Sequence, residues 1–354
     1  MPDDVWSSPA CTPADVEAAL RGLLTKRAAE SEGVHAPARV LNLIVIVDRE
    51  WRGEIANRLE RVGRYSASRT IMCVVEQGRD HISAWARMTA PDRDAPPGQI
   101  LPVTEAVELD VGPQHLPVLD TVVDPIVVPG LLTVLWSPHG HDDAVDALMK
   151  RLTDVILLDS VVDPDPEEAL ARVEEMARRA YVVDLAWLRS TPWRERVAAT
   201  FDPPPLRAAL SAISGVTVRY RPDSTASALL YIGWLASRLG WRVSPLIGRD
   251  GKLHGHAHAR KQDVHIRLDQ HPDQNVPGLA GVTVETAHGV SISLDRAPGG
   301  LTERRREKDG TERTWKVLGA SRGEGGILGQ GVRQALLRDP TYKPALEAAR
   351  AMLP

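Results

Sequence analysis

Val40-Leu41-Asn42-Leu43-Ile44-Val45-Ile46-Val47, closed by Asp48, decides how the first half of the chain is read. The run is almost continuously apolar, where a strand with one wet face would alternate. A segment this short and this rich in β-branched residues reads as a strand covered on both faces, at the centre of a parallel sheet. Outward from it the pattern repeats. Trp51 to Val62 is expected as a helix with Ile55, Leu59 and Val62 on one face, followed by a strand over Ile71 to Val75. Ile82 to Met88, Val103 to Val111 and Leu131 to Trp136 read as further strands, then a helix over Ala144 to Leu152 and a buried-type strand over Asp154 to Ser160. Strands alternating with helices in this way argue for a mostly parallel α/β sheet. Ligands of such sheets sit at the carboxyl ends of strands, which singles out Asp48, Trp136, Asp159 and Ser160.

Upstream, Thr12-Pro13-Ala14-Asp15 is a capped helix start, with Pro at the first helical position, and the helix extends to about Glu30. Residues before it are expected as a tail. Downstream, Thr191-Pro192 begins a helix whose Trp193, Val197 and Phe201 recur every four residues as an apolar stripe. Val216 to Tyr220 and Trp241 to Ile247 read as strands on either side of a Ser224 to Leu239 helix closed by Gly240. Val264 to Leu268, Val282 to Thr286, Val290 to Leu294 and Trp315 to Leu318 then read as consecutive strands, and helices around 327–337 and 344–352 close the chain. The fold class is therefore two-domain α/β. A tail and helix over 1–38 precede a mostly parallel domain over 39–181 and a mixed domain with antiparallel strands over 182–354.

The 354 residues carry 43 Lys and Arg against 47 Asp and Glu, a net charge of −4. A general nucleic-acid binder would show a basic surplus, so that class is set aside. No stretch has the ~18 apolar residues of a membrane span, and the N-terminus lacks the basic-then-apolar pattern of a secretory signal. The expectation is a cytoplasmic protein. Two cysteines, Cys11 and Cys73, make no disulfide framework, and Cys73 lies in an apolar strand.

No phosphate-binding glycine motif is present in usual form, and Gly325 to Gly331 reads as a turn and helix start. Arg304-Arg305-Arg306 reads as a solvated turn. Arg64 and Arg69 near a strand entrance, with Asp159-Ser160 at a strand end, form a candidate anion site for a sugar phosphate. His254, His256 and His258 occupy alternate positions, which on a strand would share one face. Their glycine-rich, charged surroundings read instead as a hairpin tip. The stretch Asp184 to Arg196 holds two tryptophans and three arginines. Those residue types dominate binding hot spots, so Trp187, Arg189, Trp193 and Arg194 are the candidate partner contacts. Inter-domain packing is the competing role for Trp187 and Trp193.

Leu158-Asp159-Ser160, together with Asp184-Leu185-Ala186-Trp187 and Trp193-Arg194, resembles the glucose-6-phosphate dehydrogenase assembly protein family, also called OpcA. Ser68 to Ile71, Leu132 to Trp136 and Leu229 to Ala236 support the resemblance, which covers roughly residues 40 to 245. It implies a non-catalytic allosteric effector that binds glucose-6-phosphate dehydrogenase and promotes its assembly or activation, with no catalytic residues, cofactor or metal. Cysteine-based redox control in some relatives is not carried over to Cys11 and Cys73. Two alternatives stay open: an enzyme acting on a sugar phosphate through Arg64, Arg69, Asp159 and Ser160, and a zinc module using His254, His256 and His258.

Overall fold

A computed structural model describes residues 4–30, 39–63, 68–89, 104–249, 252–260, 262–318 and 323–354. In chain order the elements begin with β1 (Asp4–Ser8), α1 (Pro13–Glu30), β2 (Leu41–Asp48), α2 (Arg52–Gly63), β3 (Ser68–Val75), β4 (Ser83–Thr89) and β5 (Thr104–Val111). They continue with α3 (Leu119–Val123), β6 (Leu132–Trp136), α4 (Asp142–Met149), β7 (Val155–Leu158), α5 (Pro166–Ala177), β8 (Tyr181–Asp184), α6 (Leu185–Arg189), α7 (Thr191–Phe201) and α8 (Pro204–Arg207). The remainder are β9 (Ile213–Tyr220), α9 (Thr225–Leu239), β10 (Arg242–Val243), β11 (Ile247–Arg249), β12 (Lys252–His258), β13 (Asp263–Gln270) and β14 (Leu279–Thr286). Last come β15 (Ser291–Ala297), β16 (Gly300–Arg306), β17 (Glu312–Leu318), α10 (Gly323–Leu337) and α11 (Tyr342–Arg350).

The chain forms two compact units. One comprises Met1–Leu158, Met176–Val183 and Glu324–Leu337, and the other comprises Asp159–Glu175, Asp184–Gly323 and Arg338–Pro354. The first unit holds an eight-stranded sheet in the order β1-β4-β5-β3-β2-β6-β7-β8. β2 pairs parallel with both β3 and β6, so it is central, and Leu41 to Val47 are all buried. Burial on both faces is the physical reason the run carries no alternation. Counted along the chain, β2, β3, β5, β6, β7 and β8 stand in the order 3-2-1-4-5-6, the arrangement of a dinucleotide-binding fold. The segment before α1, expected as a tail, instead pairs antiparallel with β4 as edge strand β1.

Within this unit one buried charge is resolved by pairing. Glu105 is 1% exposed and accepts from Arg39 Nε at 2.8 Å and Arg69 Nε at 2.8 Å. Burial pushes its carboxyl up, but the hydrogen bonds from Arg39 and Arg69 outweigh burial and hold it below the ordinary range. Cys11 and Cys73 are both free thiols. Burial pushes Cys73 up to about 12, so the thiol stays protonated.

The second unit is built on a nine-stranded sheet, ordered β10-β12-β13-β9-β14-β15-β16-β17, with β11 paired to β12. Among the described residues only the β13–β9 pair is parallel; the other pairings are antiparallel. One face of its central strands is apolar and buried, with Val216, Val218, Ile266, Leu268, Val282 and Val284 all within 1% exposure. α9 is almost wholly buried and ends at Gly240, whose φ of 68° is the left-handed cap its sequence announced. Gly233 lets α9 approach α11, since a Cβ there would stand 2.1 Å from the Ala345 carbonyl oxygen. Strands β1, β8, β12 and β16 fell outside the sequence reading, as did β11 beyond its first residue. Arg304 to Arg306 end strand β16 rather than forming a turn, and the glycines of 325–331 lie inside α10.

Candidate functional site

Two places carry the chemistry. One is the stretch 184–201 in the second unit; the other is the carboxyl edge of the parallel sheet in the first.

Asp184 caps α6 by accepting from Ala186 N at 2.9 Å. It also accepts from Ser160 N at 3.1 Å, Ser160 Oγ at 2.8 Å and Tyr342 OH at 3.0 Å. Burial, reinforced by the nearby Asp159 charge, pushes its carboxyl up to about 6 despite those hydrogen bonds. Arg189 forks onto Asp159 through two bonds of 2.8 and 2.7 Å. Trp187 Nε1 donates to Asp339 at 2.9 Å, and its ring packs 5.4 Å from Tyr342. The Arg194 guanidinium carbon lies 3.5 Å from the centroid of the Trp187 ring, a close cation–π contact. Arg194 also donates to Ser190 Oγ at 3.1 Å, Thr191 Oγ1 at 3.0 Å and the Trp187 carbonyl at 3.3 Å. Burial lowers it to about 10, so it remains charged at neutral pH.

These contacts turn the candidate partner surface inward. Trp187 is 2% exposed, Trp193 1% and Arg194 8%, while the Arg189 side chain is spent on Asp159. Trp193, Val197 and Phe201 are buried as the stripe required. The candidate anion site also changes character. Arg64 lies outside the described residues. Arg69 is buried on Glu105 and the Ile126 carbonyl, Asp159 is held by Arg189, and Ser160 is held by Asp184. The residues that complete the cluster, Asp339 and Tyr342, lie some 150 positions downstream of Trp187 and Asp184. Local spacing carries no signal of that pairing; Asp339 only makes a local turn, accepting from Thr341 N and Oγ1 just before α11.

His254, His256 and His258 stand on strand β12, not on a hairpin tip, and share its exposed face. The His256 ring lies 4.7 Å from His265, and His258 pairs with Asp263 at 2.8 Å. Alternate positions on a strand are ~6.7 Å apart, too far for three imidazoles to meet one zinc without help. Among the described residues no group of three His, Cys, Asp or Glu side chains gathers to hold a metal.

At the carboxyl edge of the first sheet the order reverses between β2 and β6, the usual seat of a dinucleotide. Such a seat needs a glycine turn for the pyrophosphate and an open acid for the ribose. Here the turn after β2 reads Asp48-Arg49-Glu50-Trp51. Arg49 crosses to Glu76 at 3.0 Å and to Asp110 at 3.0 Å, and Arg79 holds Glu76 from the other side at 2.7 Å. Hydrogen bonds from Arg49 and Arg79 keep Glu76 below the usual carboxylate range. Arg52 forks onto Glu108. Trp51 stacks on His139 at 5.2 Å, and His141, in left-handed backbone at φ 64°, stands 3.3 Å from Asp48. Burial lowers the His139 pKa. The turn after β2 thus carries no glycine, and the carboxylates along this edge, Glu76, Glu108 and Asp110, are paired with arginines.

Fold and site together define a two-unit α/β protein that has a dinucleotide-binding strand order without the glycine turn. Residues 59–175 match the family model for the N-terminal domain of the glucose-6-phosphate dehydrogenase subunit, and residues 180–346 match the model for its C-terminal domain. The chain belongs to this OpcA family. An OxPP cycle protein OpcA of Synechococcus elongatus is 29% identical over 48% of this chain and 39% of its own length. The protein of that name from Nostoc punctiforme is 37% identical over 34% of this chain and 27% of its length. The matched segments thus span well under half of these relatives. Among solved structures, the oxidoreductase yvaA of Bacillus subtilis aligns at 10% identity with a TM-score of 0.49, covering 89% of this chain and 95% of its own. The WlbA dehydrogenase of Thermus thermophilus aligns at 14% with 0.46, covering 88% and 93%. Among the described residues no helix is long and apolar enough to cross a membrane.

Proposed function

We propose that this chain is a non-catalytic assembly factor and allosteric activator that binds glucose-6-phosphate dehydrogenase in the cytoplasm and supports the oxidative pentose phosphate pathway. One observation carries the non-catalytic part. The strand order is that of a dinucleotide-binding unit, yet Asp48-Arg49-Glu50-Trp51 stands in place of the glycine turn, and Glu76 is held by Arg49 and Arg79. A unit of this kind keeps the shape of a dehydrogenase domain and lacks the means to hold its coenzyme. The partner follows from the family, whose two domains are named for a subunit of that dehydrogenase.

An activator without chemistry acts by binding one state of its partner better than another. A tenfold shift needs a differential of only about 1.4 kcal/mol. The test is dehydrogenase kinetics at varied glucose 6-phosphate with and without this chain, alongside titration of the chain with nicotinamide dinucleotides. A changed KM or kcat and no coenzyme binding support the proposal. Unchanged kinetics, or a dehydrogenase activity of the chain itself, would overturn it.

A further inference from the structure

The nine-stranded sheet buries one face only. Its other face is polar and solvent-facing. In the register of β12, β13, β9, β14, β15, β16 and β17, three cross-strand rows run the width of the sheet. Thr217, Thr283 and Ser293 lie at the centre of the middle row, with Arg267 and Arg304 on its two flanks. The centre is thus short hydroxyl side chains, already satisfied among themselves: Arg219 donates to Thr283 at 3.0 Å, and Thr283 meets Ser293 at 3.0 Å. Short, pre-paired side chains lose little rotamer freedom on contact.

The dimensions suit a protein. Seven strands at ~4.8 Å and five residues at ~3.3 Å give a patch of roughly 34 by 17 Å, on the order of 600 Å² before side-chain relief is added. The three rows hold about 20 residues, and a specific interface takes about 20–30 residues and ~800 Å² a side.

Charge decides between a second copy and a different protein. A centred two-fold contact that keeps the strands of the two copies aligned has its axis along or across the strands. An axis along the strands through β14 sets Arg267 against Arg304 and Lys252 against Lys316. An axis across them through the middle row sets Arg267 and Arg304 each against itself. Arg267 leans on Asp269 and Arg304 on Glu312, but both side chains stay more than half exposed, at 59% and 55%. Like charges opposed in this way disfavour self-docking.

We propose that this polar face is the surface on which glucose-6-phosphate dehydrogenase docks, with acidic groups of the dehydrogenase opposite Arg267 and Arg304. The proposal rests on the partner named under the proposed function. It is further supported by the fact that the whole face lies within residues 180–346, the segment that matches the family's C-terminal domain. It also supplies the surface that buried Trp187, Trp193 and Arg194 cannot.

The test uses the full chain and glucose-6-phosphate dehydrogenase of the same organism, with Kd from biolayer interferometry and self-association from sedimentation velocity. The variants are Arg267→Glu and Arg304→Glu on the flanks and Thr217→Arg at the centre. Arg21→Glu on α1, in the first unit and 69% exposed, is the control. Each face variant should weaken binding at least tenfold, with the control unchanged and circular dichroism of all four unaltered. Wild-type binding that the face variants leave intact overturns this surface but not the partner. A wild-type dimer that the face variants dissociate, at unchanged dehydrogenase affinity, assigns the face to a second copy and also overturns it. No binding by the wild-type chain overturns the partner itself.

Discussion

Replacing Asp184 tests the buried cluster most sharply, because two substitutions should move stability in opposite directions. Asp184→Ala removes the cap of α6, worth about 1 kcal/mol. It also strands the Ser160 amide, a buried donor with a fixed direction, at about 1–3 kcal/mol, and loses the Tyr342 hydroxyl bond at about 1 kcal/mol. At pH 4.5, where the folded carboxyl is largely neutral and its removal relieves no charge penalty, the sum is about 3–5 kcal/mol. For a unit of this size each kcal/mol lowers Tm by about 2–4 °C, so a fall of about 10 °C is expected. Asp184→Asn keeps an acceptor for the two amides and removes the charge. The folded carboxyl is raised from 3.8 to about 6. A group raised in this way contributes stability that is full below about pH 4 and lost as pH rises through about 6. A rise of this size, about two pH units, corresponds to about 3 kcal/mol. Relative to wild type, the Asn variant should therefore gain on moving from pH 4.5 to pH 7.5. Urea unfolding followed by tryptophan fluorescence at both pH values measures this. An Asn variant as unstable as the Ala variant at pH 7.5, or one with the wild-type pH dependence, would refute the reasoning.

Three further outcomes are expected. Glu105→Gln leaves Arg39 and Arg69 without their carboxylate and should cost about 3 kcal/mol at neutral pH. Because the Glu105 pKa is lowered on folding, wild-type stability from this site is present above the ordinary carboxylate range and lost as pH falls through the folded value; acid titration of both proteins should converge there. Gly233→Ala places a methyl against the α11 backbone and should lower Tm by more than 5 °C or prevent folding, read by calorimetry, whereas Gly22→Ala, where nothing stands within 4 Å, should not. Calorimetric titration with NAD or NADP should show no binding at ~1 mM, since the turn after β2 carries no glycine and Glu76 is paired with Arg49.

The parallel sheet was legible because burial on both faces writes itself into sequence as an unbroken apolar run, from Leu41 to Val47. Caps were legible for the same local reason, as at Thr12, Pro192 and Gly240. Strands β12 and β16 were not. Lys252 to His258 and Gly300 to Arg306 lie with one side to solvent, and Gly255 and the three arginines replace the apolar alternation that marks a strand. The cluster around Trp187 shows a deeper limit. Trp and Arg in one short run describe a surface hot spot and a buried cation–π pair equally well. What separates them is Asp339 and Tyr342, far along the chain, which take the indole N–H and close the ring's other side. Asp184 was read only as the start of the Trp- and Arg-rich stretch; nothing local marked it as the cap of α6 or pointed to Ser160 and Tyr342 as its further donors. The carboxyl edge was flagged through Asp48. Its meaning came only with the strand order, which places Asp48 where a glycine turn would otherwise sit.

The most direct test of the account is equilibrium binding of this chain to glucose-6-phosphate dehydrogenase, measured with the KM and kcat of the dehydrogenase in the same samples. A saturable complex with Kd at or below ~10 µM is expected, with a KM or kcat that shifts in proportion to its occupancy. No complex at ten times that concentration, with both kinetic constants unchanged, would contradict it.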